Sequence, residues 1–193
     1  MSVFKKSSSA PSAFPKFSNV NISFRLSDFN INVFFSKCLP FQSHNNIHVF
    51  RDPEIKKRVY TVFHSGHINI TGIKNFSEIE SSIDRFNLLF KQTVKKEDVQ
   101  VNNSTASGNI FADKRKILNF QSVKKYIEKN KGGLNDITFN FRPHYFPGAI
   151  LRRKNKSTII LFSNGKYNII GSKDRLAVRE AHRTLCAITR NII

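Results

Sequence analysis

Residues 146–173 read FPGAILRRKNKSTIILFSNGKYNIIGSK, and they decide how the rest of the chain is read. The segment divides into a Phe-Pro-Gly corner, a basic apolar strand, a strand ending at Phe162, a turn from Ser163 to Lys166, and a strand closing at Gly171. Two apolar runs separated by a short Asn/Gly turn are the pattern of a β-hairpin. A looser copy, VYTVFHSGHINITGIK, occupies residues 59–74. Phe63, Gly66, Asn69 and Gly72 precede Phe162, Gly165, Asn168 and Gly171 by a constant 99 residues. A direct repeat on that scale predicts two similar halves packed side by side.

The 193 residues suffice for one good core or two small fused ones. Lys and Arg outnumber Asp and Glu by 19, so the expected partner is polyanionic: nucleic acid first, with an acidic protein or an anionic membrane behind it. Phe is abundant, at 19 residues, and Trp is absent, so most of the phenylalanines must build cores. The two cysteines, Cys38 and Cys186, fall in predicted helices far apart in the repeat scheme and are expected to be reduced thiols. No apolar run reaches the roughly 18 residues of a membrane-spanning helix, so no membrane association is expected. The abundance of Asn, Ile, Lys and Phe suits an A·T-rich genome, such as that of a large DNA virus or a protist.

Outward from the repeat, residues 1–17 hold a Ser run, prolines and lysines and read as a disordered basic tail. Alternation of Val20, Ile22, Phe24 and Leu26 with polar neighbours predicts a strand over 19–26, followed by a helix over 29–39 capped by Asp28 and ended by Pro40. A strand near 47–50, the hairpin, and an amphipathic helix over 76–92 complete a first half assigned to 18–92. Residues 93–113 are polar and read as a linker. The second half, 114–193, is predicted to open with a basic strand over 114–121 and a short helix over 123–129. An alternating stretch at 137–141 has no clear first-half counterpart, and a last amphipathic helix covers 174–190.

These residues resemble the TATA-binding protein family. Its second repeat carries Glu-Leu-Phe-Pro-Gly, an apolar strand ending in Phe, a Ser-Gly-Lys turn and Thr-Gly-Ala-Lys; here the line is YFPG, IILF, SNGK and IIGSK. Its first repeat carries Ile-Phe, a Ser-Gly turn and Thr-Gly-Ala-Lys, matched by VFHSGHINITGIK. The match covers about 19–92 and 115–190. The resemblance implies an α+β fold: a two-repeat saddle, with a curved antiparallel sheet and helices on the convex face. It implies a non-enzymatic transcription initiation factor that needs no cofactor or metal. Such a factor binds A·T-rich duplex DNA in the nucleus, or at the site of viral transcription if virus-encoded. Minor-groove wedging is a known property of the family, and the physical chemistry is general: apolar wedges unstack a base step, and the bent duplex then covers more protein surface.

Position by position, Phe146 and Phe162 match the wedges of the second repeat and Phe63 the second wedge of the first. For the leading first-half wedge, counting back from Pro53 lands on Ser43, and Phe41 is the nearest aromatic. The groove asparagines match Asn21 and, after a deletion, Asn119; Thr71 matches the groove threonine of the first repeat, and Ile170 replaces that of the second. The family's groove valines become Asn69 and Asn168 in the hairpins, and Ser23 and Gln121 in the opening strands. More amides and fewer methyls against acceptor-only A·T edges predict an altered or relaxed sequence preference. Arg25, Lys116, Arg152, Arg153, Lys154 and Lys166 are the expected phosphate contacts.

Before the Phe-Pro-Gly corner the family is acidic and recruits TFIIB, whereas Arg142 and His144 stand here. The reversed charge puts the usual TFIIB contact in doubt, leaving a changed TFIIB-like factor or polymerase subunits as partners. No catalytic constellation is present. The Ser163–Lys166 turn lacks the spacing of a phosphate-binding loop, and His64 and His67 lack metal-ligand companions. Two other functions fit the same fold. An accessory nucleic-acid module of an enzyme would not need phenylalanines at both ends of the saddle, and an interaction subunit without DNA binding would not need the positive charge.

Overall fold

The computed structural model describes residues 13–27, 29–35, 42–111, 113, 115–154 and 156–192. The first half comprises β1 (Lys16–Arg25), α1 (Ile31–Phe35), β2 (Gln42–His44), β3 (Ile47–Arg51), β4 (Val59–Phe63), β5 (His67–Ile73) and α2 (Ile79–Phe90). The second comprises β6 (Gln100–Asn109), α3 (Phe120–Lys129), α4 (Lys131–Leu134), β7 (Ile137–Asn140), β8 (Ala149–Arg153), β9 (Thr158–Leu161), β10 (Lys166–Ser172) and α5 (Arg175–Arg190). All strands join one antiparallel sheet in the order β2-β3-β4-β5-β1-β6-β10-β9-β8-β7. The order is a palindrome about the β1–β6 pair, which joins the halves.

Alternation decides which face carries the helices. Val20, Ile22, Phe24, Tyr60, Val62, Ile68 and Ile70 point to one face and bury themselves against Ile83, Phe86 and Phe90 of α2. In the second half Ala106, Leu151, Ile159, Leu161, Tyr167 and Ile169 pack on Val178, Ala181, Leu185 and Ile188 of α5, with Val123 and Ile127 of α3. The two cores are separate clusters, so the chain builds two small cores under one sheet. The other sheet face has no helix on it among the described residues.

Several sequence expectations change. The segment read as a linker contains β6, the central strand of the second half. Its core-facing residues are small because their partners are large. A side chain at Gly108 would place Cβ 2.4 Å from the Tyr167 hydroxyl oxygen, Ala106 is fully buried, and Ser104 donates to the Ser172 carbonyl at 3.0 Å. The strand expected over 114–121 is absent among the described residues. Asn119 instead caps α3, its Oδ1 accepting from the N–H of Gln121 and Ser122, and Phe120, Val123 and Ile127 form the buried helical stripe. The helix expected over 29–39 is α1, at whose start Asn30 Oδ1 accepts from the N–H of Asn32 and Val33; the expected cap Asp28 and residues 36–41 lie outside the described residues. Lys16 and Phe17 belong to β1 rather than to the tail. The alternating stretch at 137–141 is the edge strand β7, and its counterpart in the sheet order is β2. Cys186 lies on α5, and Cys38 is outside the described residues.

Candidate nucleic-acid interface

The ladders fix which residues share the open face. Pairing of β5 with β1 places Asn69 beside Ser23 and Ile70 beside Ile22, while β10 with β6 places Asn168 beside Ser107 and Ile169 beside Ala106. The hairpins are therefore related by 99 residues and the opening strands by 84. Two contacts confirm that register: Asn19 Oδ1 accepts the N–H of Gly72 at 2.9 Å, and Asn103 Oδ1 accepts the N–H of Gly171 at 2.8 Å. The repeat-related asparagines are thus Asn19 and Asn103. Asn21, expected to pair with Asn119 across the repeat, has Thr105 as its equivalent and lies opposite Asn103 in the β1–β6 ladder. Asn119 and Gln121 sit at the start of α3, away from the open face, and Asn103, Thr105 and Ser107 of β6 take their place there. The missed signal was the alternation of small and polar residues over 102–108.

The open face runs from Phe63 and Thr71 through Asn69, Ser23, Asn21, Asn103, Thr105, Asn168 and Ile170 to Phe162. Ser23 is buried, its hydroxyl 2.9 Å from Asn102 Oδ1. The Oδ1 atoms of Asn21 and Asn69 are shut off from solvent and meet no donor among the described residues. At the second-half end Phe146 and Phe162 lie with ring centroids 5.9 Å apart, tilted by 60°, and Phe146 is 38% exposed. At the first-half end the ring of Phe63 stands 5.8 Å from that of His67. Phe41 lies outside the described residues, and Ser43 is in β2.

Cations cluster on one half. Residues 100–193 carry 18 Lys and Arg against 5 Asp and Glu, whereas residues 16–99 carry 12 against 8. Lys116, Lys154 and Lys166 are exposed, as is Arg152, which shares the open face with Ile150 and pairs with Thr158. Arg25 is exposed, with Nε donating to the Ser65 carbonyl at 3.2 Å. Arg153 departs from expectation. Alternation turns it to the helix side, where Nε meets Asp136 at 2.9 Å and Nη1 meets Thr184 Oγ1 at 3.3 Å. Its charge is engaged in the protein. Arg142 and His144 are exposed in the turn before the Phe-Pro-Gly corner, where the Arg142 carbonyl accepts from the N–H of Tyr145 and of Phe146.

At the first-half edge His48 and His64 approach through Nε2 atoms 2.8 Å apart, and burial first, then the neighbouring His64, lowers the His48 pKa. No group of three or more His, Cys, Asp or Glu among the described residues is arranged to hold a metal.

A family model described as transcription factor TFIID, or TATA-binding protein, matches residues 127–192. The TATA-box-binding protein of Picrophilus torridus is 29% identical over 138 residues, which cover 69% of this chain and 68% of that protein. TATA-box-binding protein 2 of Methanosarcina mazei is 30% identical over 122 residues, 61% of each chain. The solved structure of the Methanococcus jannaschii TBP superposes with a TM-score of 0.69 at 19% identity, over 92% of this chain and 98% of that one. By the family model over residues 127–192 and by these relatives, the chain is similar to the TATA-binding protein family. Its sheet with helices on one face has the saddle fold of that solved structure, so the open face is the concave one. The chain spans 61% to 68% of the length of these two sequence relatives. The TATA-binding protein family is one of transcription factors, not of enzymes.

Proposed function

We propose that the chain is a transcription initiation factor that binds A·T-rich duplex DNA through the minor groove and bends it. The observation that carries this reading is the ring pair Phe146–Phe162, 5.9 Å apart at one end of an open polar sheet face whose other end carries Phe63. A ring 38% exposed at the rim of a sheet is out of place in a core and suits insertion between base steps. Between the ends, Asn103, Thr105, Asn168 and Thr71 offer donors to the acceptors of A·T minor-groove edges. Arg25, Lys116, Arg152, Lys154 and Lys166 neutralise phosphates and make binding salt-dependent. Arg142 and His144, exposed before the corner, call for a partner whose docking surface is acidic, in place of the usual TFIIB contact. The chain acts where transcription takes place, the nucleus in a cell that has one.

The deciding experiment is end-to-end fluorescence transfer on A·T-rich and G·C-rich duplexes, with wild type compared with Phe146→Ala/Phe162→Ala. Bending of the A·T-rich duplex that disappears in the double variant is the expected result. Binding that is salt-driven, unbent and indifferent to both substitutions would leave only a basic surface, as an accessory module would have.

A further inference from the structure

The two ends of the concave face are built differently, and the register shows what replaces the missing ring. In the second half, Ala149 pairs with Leu161, so Gly148 stands one step further along, opposite Phe162. A Cβ at Gly148 would lie 2.7 Å from Phe146 Cε1 and 3.2 Å from Phe162 Cε1. The absent side chain is therefore what lets the Phe146 ring lie over the strand beside Phe162. In the first half the same ladder position, opposite Phe63, is Ile47. Two residues earlier, where the second half has Phe146, stands Asn45. Asn45 and Asn46 take positive φ values of 40° and 59° and form the tight turn between β2 and β3. A two-residue turn of this kind leaves no loop from which a ring could fold back.

Strand alternation puts Ile47, like Phe63, on the face opposite the buried Phe50. There the branched side chain stands where, by register, the Phe146 ring stands in the other half. Ile47 is 38% exposed, the same value as Phe146. Aliphatic side chains wedge base steps as aromatic ones do.

We propose that Ile47 is the leading wedge of the first half, inserting with Phe63 into the base step at that end of the bound duplex. The proposal rests on the minor-groove reading above. It makes the DNA site unsymmetrical: a two-ring wedge opens one end and a ring-plus-aliphatic wedge the other. The weaker wedge favours an easily unstacked pyrimidine–purine step at its end.

The test uses the full chain and an A·T-rich duplex carrying 2-aminopurine at one end step or the other, since this base brightens when unstacked. Wild type is expected to brighten both ends. Ile47→Ala should return one end to the level of free duplex and leave the other bright, the reverse of Phe146→Ala. Ile47→Phe should keep both ends bright, and Phe41→Ala should change neither. The bright far end shows that the variant is folded, and Ile47→Thr, which keeps a β-branched residue in the strand, repeats the test. Two bright ends with Ile47→Ala and Ile47→Thr, or loss of the first-half signal with Phe41→Ala, would overturn the proposal while leaving the minor-groove reading standing. No brightening at either end by wild type would overturn both.

Discussion

The two halves share a sheet order and a helix, yet they anchor their outer strands with opposite charges. At the end of β3 the first half places Asp52, which accepts from the N–H of Glu54 and Ile55, from the Tyr60 hydroxyl at 2.8 Å and from Arg85 of α2 at 3.2 Å. At the equivalent end of β8 the second half places Arg153, held by Asp136, and the residue of α5 that corresponds to Arg85 is Thr184. The first anchor is closed: the Asp52 side chain is fully buried and all its partners lie within the half. The second is partly open, with Asp136 30% exposed. A repeat can therefore conserve backbone and apolar pattern while the polar bracing is rebuilt with inverted sign. The half braced by a buried carboxylate is also the half with little net charge.

The largest expected difference between the halves concerns Gly72 and Gly171, both at φ near 80° in equivalent bulges. At Gly72 a Cβ would lie 1.8 Å from the Lys57 carbonyl oxygen, which belongs to the bend before β4. At Gly171 nothing lies within 4 Å of that position. Gly171→Ala should thus cost only the left-handed backbone, about 1–2 kcal/mol. Gly72→Ala must also displace the Lys57 backbone and should cost more than about 4 kcal/mol, in the range of core-breaking substitutions. Chemical denaturation of the two variants measures the gap. Equal losses would mean that the bend before β4 yields freely.

Next in size is the pair of anchors. Burial works against ionisation of Asp52, but the Arg85 hydrogen bond, the two backbone N–H groups and the Tyr60 hydroxyl outweigh it and bring its pKa from 3.8 to about 2. A carboxyl lowered in the folded state stabilises above its ordinary pKa, and that contribution is lost as pH falls from about 4 toward 2. Asp52→Asn leaves Arg85 without its buried partner and should cost about 3 kcal/mol at neutral pH. It should also flatten the acid limb of the stability profile. Arg153→Met removes a partly exposed pair and should cost no more than about 1 kcal/mol. Stability measured between pH 2 and 7 for both variants checks the order, and an unchanged acid limb in Asp52→Asn would show that other carboxylates govern it.

What the sequence disclosed followed the same division. Where a half buries large residues at regular spacing, the pattern was plain: β1, both hairpins, α2 and α5 all carry a stripe of Ile, Leu, Val or Phe. β6 escaped notice because its core side is Ser104, Ala106 and Gly108, small residues that make room for Tyr167. Its repeat relation was hidden as well, since the stretch from Asn103 to Gly171 is 15 residues longer than that from Asn19 to Gly72. Asn119 reads as a strand residue in the sequence because capping by Asn leaves no periodicity to read. The basic run at 152–154 reads as phosphate contacts because it lies on a strand directly after the Phe146 corner, and only the ladder tells that Arg153, unlike Arg152, faces the helices. The sequence offers only Phe41 as an aromatic near the first-half end, whereas the register puts Ile47 opposite Phe63.

Under the proposed minor-groove binding, the smallest expected effect concerns how each half would read base edges. Asn69 and Asn168 hold equivalent places where the family has valine. Asn69 pairs with Ser23, and two residues before Ser23 on the same strand stands Asn21, a second amide, whereas the residue equivalent to Asn21 in the other half is Thr105. Asn69 Oδ1 is turned inward and meets no donor among the described residues, so rotation of the amide costs it no hydrogen bond there and presents an acceptor to the guanine 2-amino group, which A·T edges lack. A valine at the same place presents only methyls and leaves that amino group unpaired. Asn69→Val should therefore sharpen the preference for A·T over G·C by about 1 kcal/mol, roughly fivefold in affinity. Asn168→Val should shift it less, having one amide fewer beside it. Replacing guanine by inosine, which removes the 2-amino group and nothing else from the minor groove, isolates the effect. Inosine should improve wild-type binding only slightly at first-half positions and should improve binding by Asn69→Val roughly fivefold more. An equal gain from inosine in wild type and in Asn69→Val would show that this amide reads no base, and that the proposed difference between the halves lies only in their wedges and their charge.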